Sequence, residues 1–144
     1  MSSSIPASPE LSFFSVHDLG AFPEVWARAS ALQPGYAMQW AAEMDALLAH
    51  GQPFVSIMGS DLPEEDHADR KARALWLKQN KEGLRAHCLA VIGIEPQAAK
   101  RMAMQAQAAL MGKAFGVRML MVASEDEARA RAQELLGATT RKGL

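Results

Sequence analysis

The stretch Cys88–Ile94 reads CLAVIGI, with Gly93 its one position that is not apolar. Seven residues are too few for a typical helix, and the run is too continuous for a strand with one wet face. It fits a central strand of a parallel sheet, covered by helices on both sides. Two more apolar runs, Phe54–Met58 and residues 117–123, read as its parallel neighbours.

Helical periodicity fills the intervals between these strands. Upstream of CLAVIGI, Glu64, Glu65 and Asp66 supply the negative first turn that a helix dipole favours. That helix runs to about Glu82, burying Ala68, Ala72, Leu75 and Trp76, and Gly83 stops it. Downstream, Pro96 suits the first position of a helix with an apolar stripe of Ala99, Met102, Ala103, Ala106 and Leu110. Residues 36–50 form an earlier helix that buries Ala37, Trp40, Ala41, Met44, Leu47 and Leu48, turns Gln39, Glu43 and Asp45 outward, and ends at Gly51. Ser124 and Glu127 have capping-box spacing for a closing helix that ends at Gly137. At the start, residues 11–17 and 25–32 read as a hairpin punctuated by Gly20 and Pro23, although the alanines of the second segment also permit a helix. The expected fold is α/β, in the order β-β-α-β-α-β-α-β-α, with about five strands and an antiparallel entry hairpin.

A chain of 144 residues suits a single domain, expected here over residues 11–137. Residues 1–10, rich in serine and proline, read as a disordered tail and residues 138–144 as a flexible one. A formal net charge of −1 gives no global attraction to nucleic acid or to an anionic membrane. No apolar run approaches the ~20 residues of a membrane span. The single cysteine, Cys88, excludes an internal disulfide, and with no signal-like N-terminus the chain is expected in the cytoplasm.

This order of elements resembles the STAS domain, the fold of bacterial anti-sigma-factor antagonists, over roughly residues 11–137. The resemblance rests on element order and implies a protein-interaction or regulatory role. Relatives of that fold also hold apolar or lipid ligands. In the antagonists the strand corresponding to Phe54–Met58 leads into an Asp-Ser-Ser-Gly-like loop whose serine is phosphorylated. Here Gly59-Ser60-Asp61 reverses that order, Pro63 intervenes, and Glu64, Glu65 and Asp66 would repel a phosphate on Ser60. The fold carries over, and the phospho-switch does not.

Ligands of open parallel sheets sit outside the carboxyl ends of the strands. Those loops carry Asp61, Glu64 to Asp66, Glu95, and Glu125 to Glu127, an acidic edge that disfavours phosphate. No Gly-x-Gly-x-x-Gly or Gly-Lys-Ser/Thr motif is present, and no cofactor is expected. Asp61, Asp66, His67 and Asp69 have the donor atoms of a metal site. His67, however, falls on a different helical face from the two aspartates that follow it and precede it, and carboxylates at a helix start have a structural cause of their own. No metal is therefore expected. Cys88 reads as a small core hydrophobe, since a strand points it away from its neighbour His87. Ser60 lacks the glycine pattern of a nucleophile elbow. Arg70, Lys71, Arg73, Lys78, Lys81 and Arg85 read as a solvated basic face, able to meet an acidic partner or headgroup.

Three functions follow, in order of expectation. The first is a non-enzymatic interaction domain whose partner is another protein, itself included as a homodimer, with Ser60, Asp61, Asp66, His67 and Arg70 as the partner loop and Met102, Met104 and Met111 as an adaptable interface. The second is a carrier or sensor of a small apolar ligand near Trp26, Trp40, Trp76 or the methionines. The third is an enzyme that uses carboxylates and His67 near residues 59–66, and it requires His67 to converge with a carboxylate in a cleft.

Overall fold

CLAVIGI is a strand over the expected seven residues in the computed structural model, which describes residues 13–60 and 62–142. The expected tail at residues 1–10 and the site candidate Asp61 lie outside the described residues. Five strands, β1 (His17–Asp18), β2 (Glu24–Ala27), β3 (Phe54–Met58), β4 (Cys88–Ile94) and β5 (Met119–Val122), form one sheet in chain order. β1 pairs antiparallel with β2, and the remaining pairs are parallel. The fold is α/β, as the alternation of apolar runs and helical stretches implies.

The helices are α1 (Ala37–His50), α2 (His67–Gln79), α3 (Lys81–His87), α4 (Ala98–Phe115) and α5 (Glu125–Lys142). Right-handed crossovers that add strands in one direction place their helices on one face of the sheet. Phe54, Val25 and Cys88 accordingly join Met44, Leu47, Trp76, Leu77 and Leu84 in one core. On the opposite face Val55, Ile57, Ala90 and Ile92 pack against Ala128 and Ala132 of α5. Burying a residue such as Leu47, Phe54 or Ile57 is worth roughly 1.5–3 kcal/mol, so these two layers dominate the stability of the sheet. β4 alternates between buried and half-buried positions, and Val91 and Gly93 are the half-buried ones on the face that α4 covers.

Several expectations are corrected. Residues 13–16 are not strand, because the N–H groups of Ser15, Val16 and His17 are taken by the Glu43 carboxylate at 2.9–3.2 Å. The second segment is strand only to Ala27 and then becomes a 3-10 turn, Ala29–Ala31. The helix expected over residues 64–82 starts later, with the Asp66 side chain capping it by accepting from the Ala68 N–H. It breaks at Asn80, whose side chain donates to the Trp76 carbonyl, and Gly83 lies inside the separate helix α3. There are thus five helices among the described residues where four were expected.

Two helices also present other faces than expected. Ala68, Ala72 and Leu75 of α2 are exposed, while Asp69, Arg73, Trp76 and Leu77 turn inward. In α4 the stripe of Ala99, Met102, Ala103, Ala106 and Leu110 faces outward, and Met104, Gln105, Ala108 and Gly112 face β5. Both sides of α4 are rich in small and apolar residues, so other constraints choose between them. Gln105 supplies one, accepting from the Met121 N–H on the edge strand at 2.8 Å. Pro96 precedes α4 and is not in its first turn. Glu43 is fully buried, and Gly137 is passed by α5, which continues to Lys142. Of the capping box, the Glu127 N–H to Ser124 Oγ bond is present at 3.1 Å, while the Glu127 carboxylate accepts instead from the Ala123 N–H.

Candidate functional site

An apolar groove of about 240 Å³ opens between α4 and the carboxyl ends of β3 and β4, and runs along β5 from Met119 to Met121. Met58, Met104, Met111, Met119 and Met121 line it, and Gly93 on β4 leaves room for the Met121 thioether. Among the described residues no lining side chain is charged, and Gln107 is the only polar one. This is the position that parallel-sheet topology assigns to ligands. Unbranched, polarizable methionines make walls that adapt to the shape of an occupant.

A smaller cavity of about 50 Å³ lies deeper, between the sheet, α1 and α2. It shares Met58, Val91 and Met119 with the groove, so these side chains form the partition between the two. Its polar lining consists of His17, Tyr36, Ser56 and Arg73. Arg73 Nη1 donates to Glu65 at 2.7 Å, and its guanidinium lies 5.4 Å from the Trp40 ring centre. Trp40 in turn meets Trp76 edge to face at 5.2 Å. Tyr36 donates a short hydrogen bond to Glu65. Burial, followed by that bond, pushes the Tyr36 hydroxyl up to about 12. Burial works to deprotonate Arg73, but Tyr36 and Glu65 outweigh it and hold the guanidinium even more firmly charged. The buried Arg73 Nε has no hydrogen-bond partner among the described residues.

Beside this cavity, Glu43 Oε1 accepts from His17 Nδ1 at 2.8 Å, and Gln39 donates to Oε2 at 2.7 Å. Burial opposes ionisation of Glu43, yet the bonds from His17, Val16, Ser15 and Gln39 prevail and bring its pKa to about 2. An amphipathic pattern assigns Glu43 to the wet face, and nothing in the neighbouring sequence marks it as the anchor of the N-terminal segment. Tyr36 and Arg73 were likewise not legible as site residues. Met58 and Met121 carried a signal, because methionines toward the carboxyl ends of parallel strands fall where such sheets bind ligands, while Met119 at the start of β5 did not.

Among the described residues the loop candidates do not converge. Ser60 and His67 are exposed, Asp66 caps α2, and Arg70 is exposed 3.9 Å from Glu65. Asp69, considered as a metal ligand, is instead buried and accepts from the N–H groups of Gly35 and Ala37, fixing the entry to α1. Among the described residues, which do not include Asp61, His67 makes no ion pair with a carboxylate. No group of three His, Cys, Asp or Glu side chains among the described residues is placed to hold a metal. Met104 and Met111 line the groove, whereas Met102 projects outward and is 75% exposed. Of the tryptophans, Trp40 lines the small cavity, while Trp26 lies under the Arg129 guanidinium at 4.9 Å. Cys88 is buried, and burial pushes its thiol up to about 12.

No described helix is long and apolar enough to cross a membrane. Comparison with protein-family models, curated proteins and solved structures finds no match to this chain.

Proposed function

We propose that this chain is a non-enzymatic, STAS-like binding domain of the cytoplasm whose groove takes a small apolar molecule. The observation that carries this reading is the methionine-lined groove of about 240 Å³ between α4 and the carboxyl ends of β3 and β4, with no charged side chain among its described lining residues. The Cys88 thiol is shut in the core and the carboxylates of Asp66 and Asp69 hold helix starts, so binding suits the residues better than catalysis. Native mass spectrometry of freshly purified protein should detect a noncovalently retained apolar molecule. Ala108→Phe, which fills the groove from α4, should abolish retention with the fold intact. A wild-type chain that retains nothing and whose melting temperature ignores alkyl ligands would overturn the reading.

A second reading has a separate observation behind it. Met102 and Leu110 project from the outer face of α4 at 75% and 70% exposure, an apolar surface suited to a protein partner. For a second copy of this chain as that partner, light scattering should show a concentration-dependent dimer that Met102→Glu disperses. A monomer at every concentration rejects self-association.

A further inference from the structure

We propose that the groove and the small cavity are two ends of one site for an uncharged amphiphile, its accepting oxygen at Arg73 and its hydrocarbon tail among the methionines. The proposal rests on the groove being a ligand site and adds the chemistry of the head. The partition between the two spaces consists of Met58, Val91 and Met119. Two of these three are methionines, which change rotamer without moving the backbone. Behind them Arg73 lines the cavity, and its Nε–H is buried and unpartnered among the described residues. Leaving a buried donor unpaired costs more than an ordinary hydrogen bond returns, so an oxygen that reaches this N–H recovers the difference.

The charges already present select an uncharged head. Arg73 is paired with Glu65 at 2.7 Å, and Glu43 is fully buried against His17. A carboxylate entering the cavity would add a negative charge with no free cation among the described lining residues, at a large desolvation cost. A ketone or ester oxygen accepts the Arg73 bond with no such charge. At the other end, the absence of charge among the described groove-lining residues suits an alkyl chain.

The test compares chain-matched probes on the full chain: methyl hexyl ketone, octane supplied by vapour equilibration, and octanoate. The ketone should bind roughly tenfold more tightly than octane, the gain expected of one hydrogen bond to a charged donor, and octanoate should bind least. Arg73→Lys keeps the pairing with Glu65 but leaves no N–H at the Nε position, and should bring the ketone down to the level of octane. Should that variant not fold, Met119→Phe, which thickens the partition, should remove the ketone's advantage while octane still binds. Equal affinity for ketone and octane overturns the inference and leaves the apolar-groove reading standing. Tightest binding of octanoate overturns the uncharged head. Binding of none of the probes overturns both.

Discussion

Glu43 makes the folded state sensitive to acid. Its carboxylate takes three backbone N–H groups, His17 Nδ1 and the Gln39 amide, so it ties the N-terminal segment and β1 to α1. Its pKa falls from 4.5 to about 2 on folding, so the unfolded chain binds a proton more readily than the folded one. The stabilisation is complete above about pH 5, declines as pH falls, and is lost near the folded pKa, with a total on the order of 3 kcal/mol. Urea titrations should therefore show stability falling between about pH 5 and pH 2. Glu43→Gln should be less stable at neutral pH by about 3 kcal/mol, with the gap closing in acid. A variant that keeps the full acid slope would show that other carboxylates carry it. Cys88 supplies a second residue-level expectation. A buried thiol held at about 12 has almost no thiolate at neutral pH, so thiol-specific reagents should label it only at the rate of unfolding. Rapid stoichiometric labelling of the native protein would contradict this burial.

The strands β3, β4 and β5 were legible in the sequence because each is a short apolar run whose position, unlike that of a helix face, does not depend on a partner, whereas β1 and β2 lie in segments whose bounds were set by Glu43 and a 3-10 turn. Phe54–Met58 and Cys88–Ile94 match the sequence expectation at both ends. Helix faces were less legible. In α4, alanines and methionines surround the axis, and the choice falls to contacts that no periodicity records, such as Gln105 on Met121 and the close approach of Gly112 to the Val117 carbonyl. In α2 the inward side carries Asp69 and Arg73, which look like surface residues until their partners on other elements are known. The same dependence explains why the groove was half visible. Met104 and Met111 were singled out from sequence, but their joining with strand-end methionines needed the tertiary fold. Gly112 gives a direct test of the packed face of α4. A Cβ there would stand 2.8 Å from the Val117 oxygen, so Gly112→Ala should cost about 1–3 kcal/mol despite the better helix propensity of alanine. At Gly137 in α5 a Cβ meets nothing within 4 Å. Gly137→Ala should instead stabilise by about 0.5–1 kcal/mol. Chemical denaturation of both variants checks the contrast, and equal effects would mean that α4 can move away from the loop after Gly116 at little cost.

Across the whole molecule, burial is uneven in a way that bears on ligand entry. β3 has residues with no exposure on both sheet faces and β4 has them on the face toward α5, whereas α4 and β5 contain no fully buried residue. The groove lies under α4, so a helix with no fully buried residue covers the candidate site. Regions with few buried apolar contacts open at lower free energy than the global transition. Hydrogen exchange should find the amides of α4 and β5 exchanging well before those of β3 and β4. A molecule that binds the groove favours the closed arrangement by mass action, so an alkyl ketone should slow exchange in α4 and β5 more than in α1. Protection that rises equally in all elements would indicate stabilisation of the global fold alone, and an α4 that exchanges only on global unfolding would exclude it as the moving part. Slow exchange with no ligand effect would place entry elsewhere, at the partition of Met58 and Met119 that the small cavity shares with the groove.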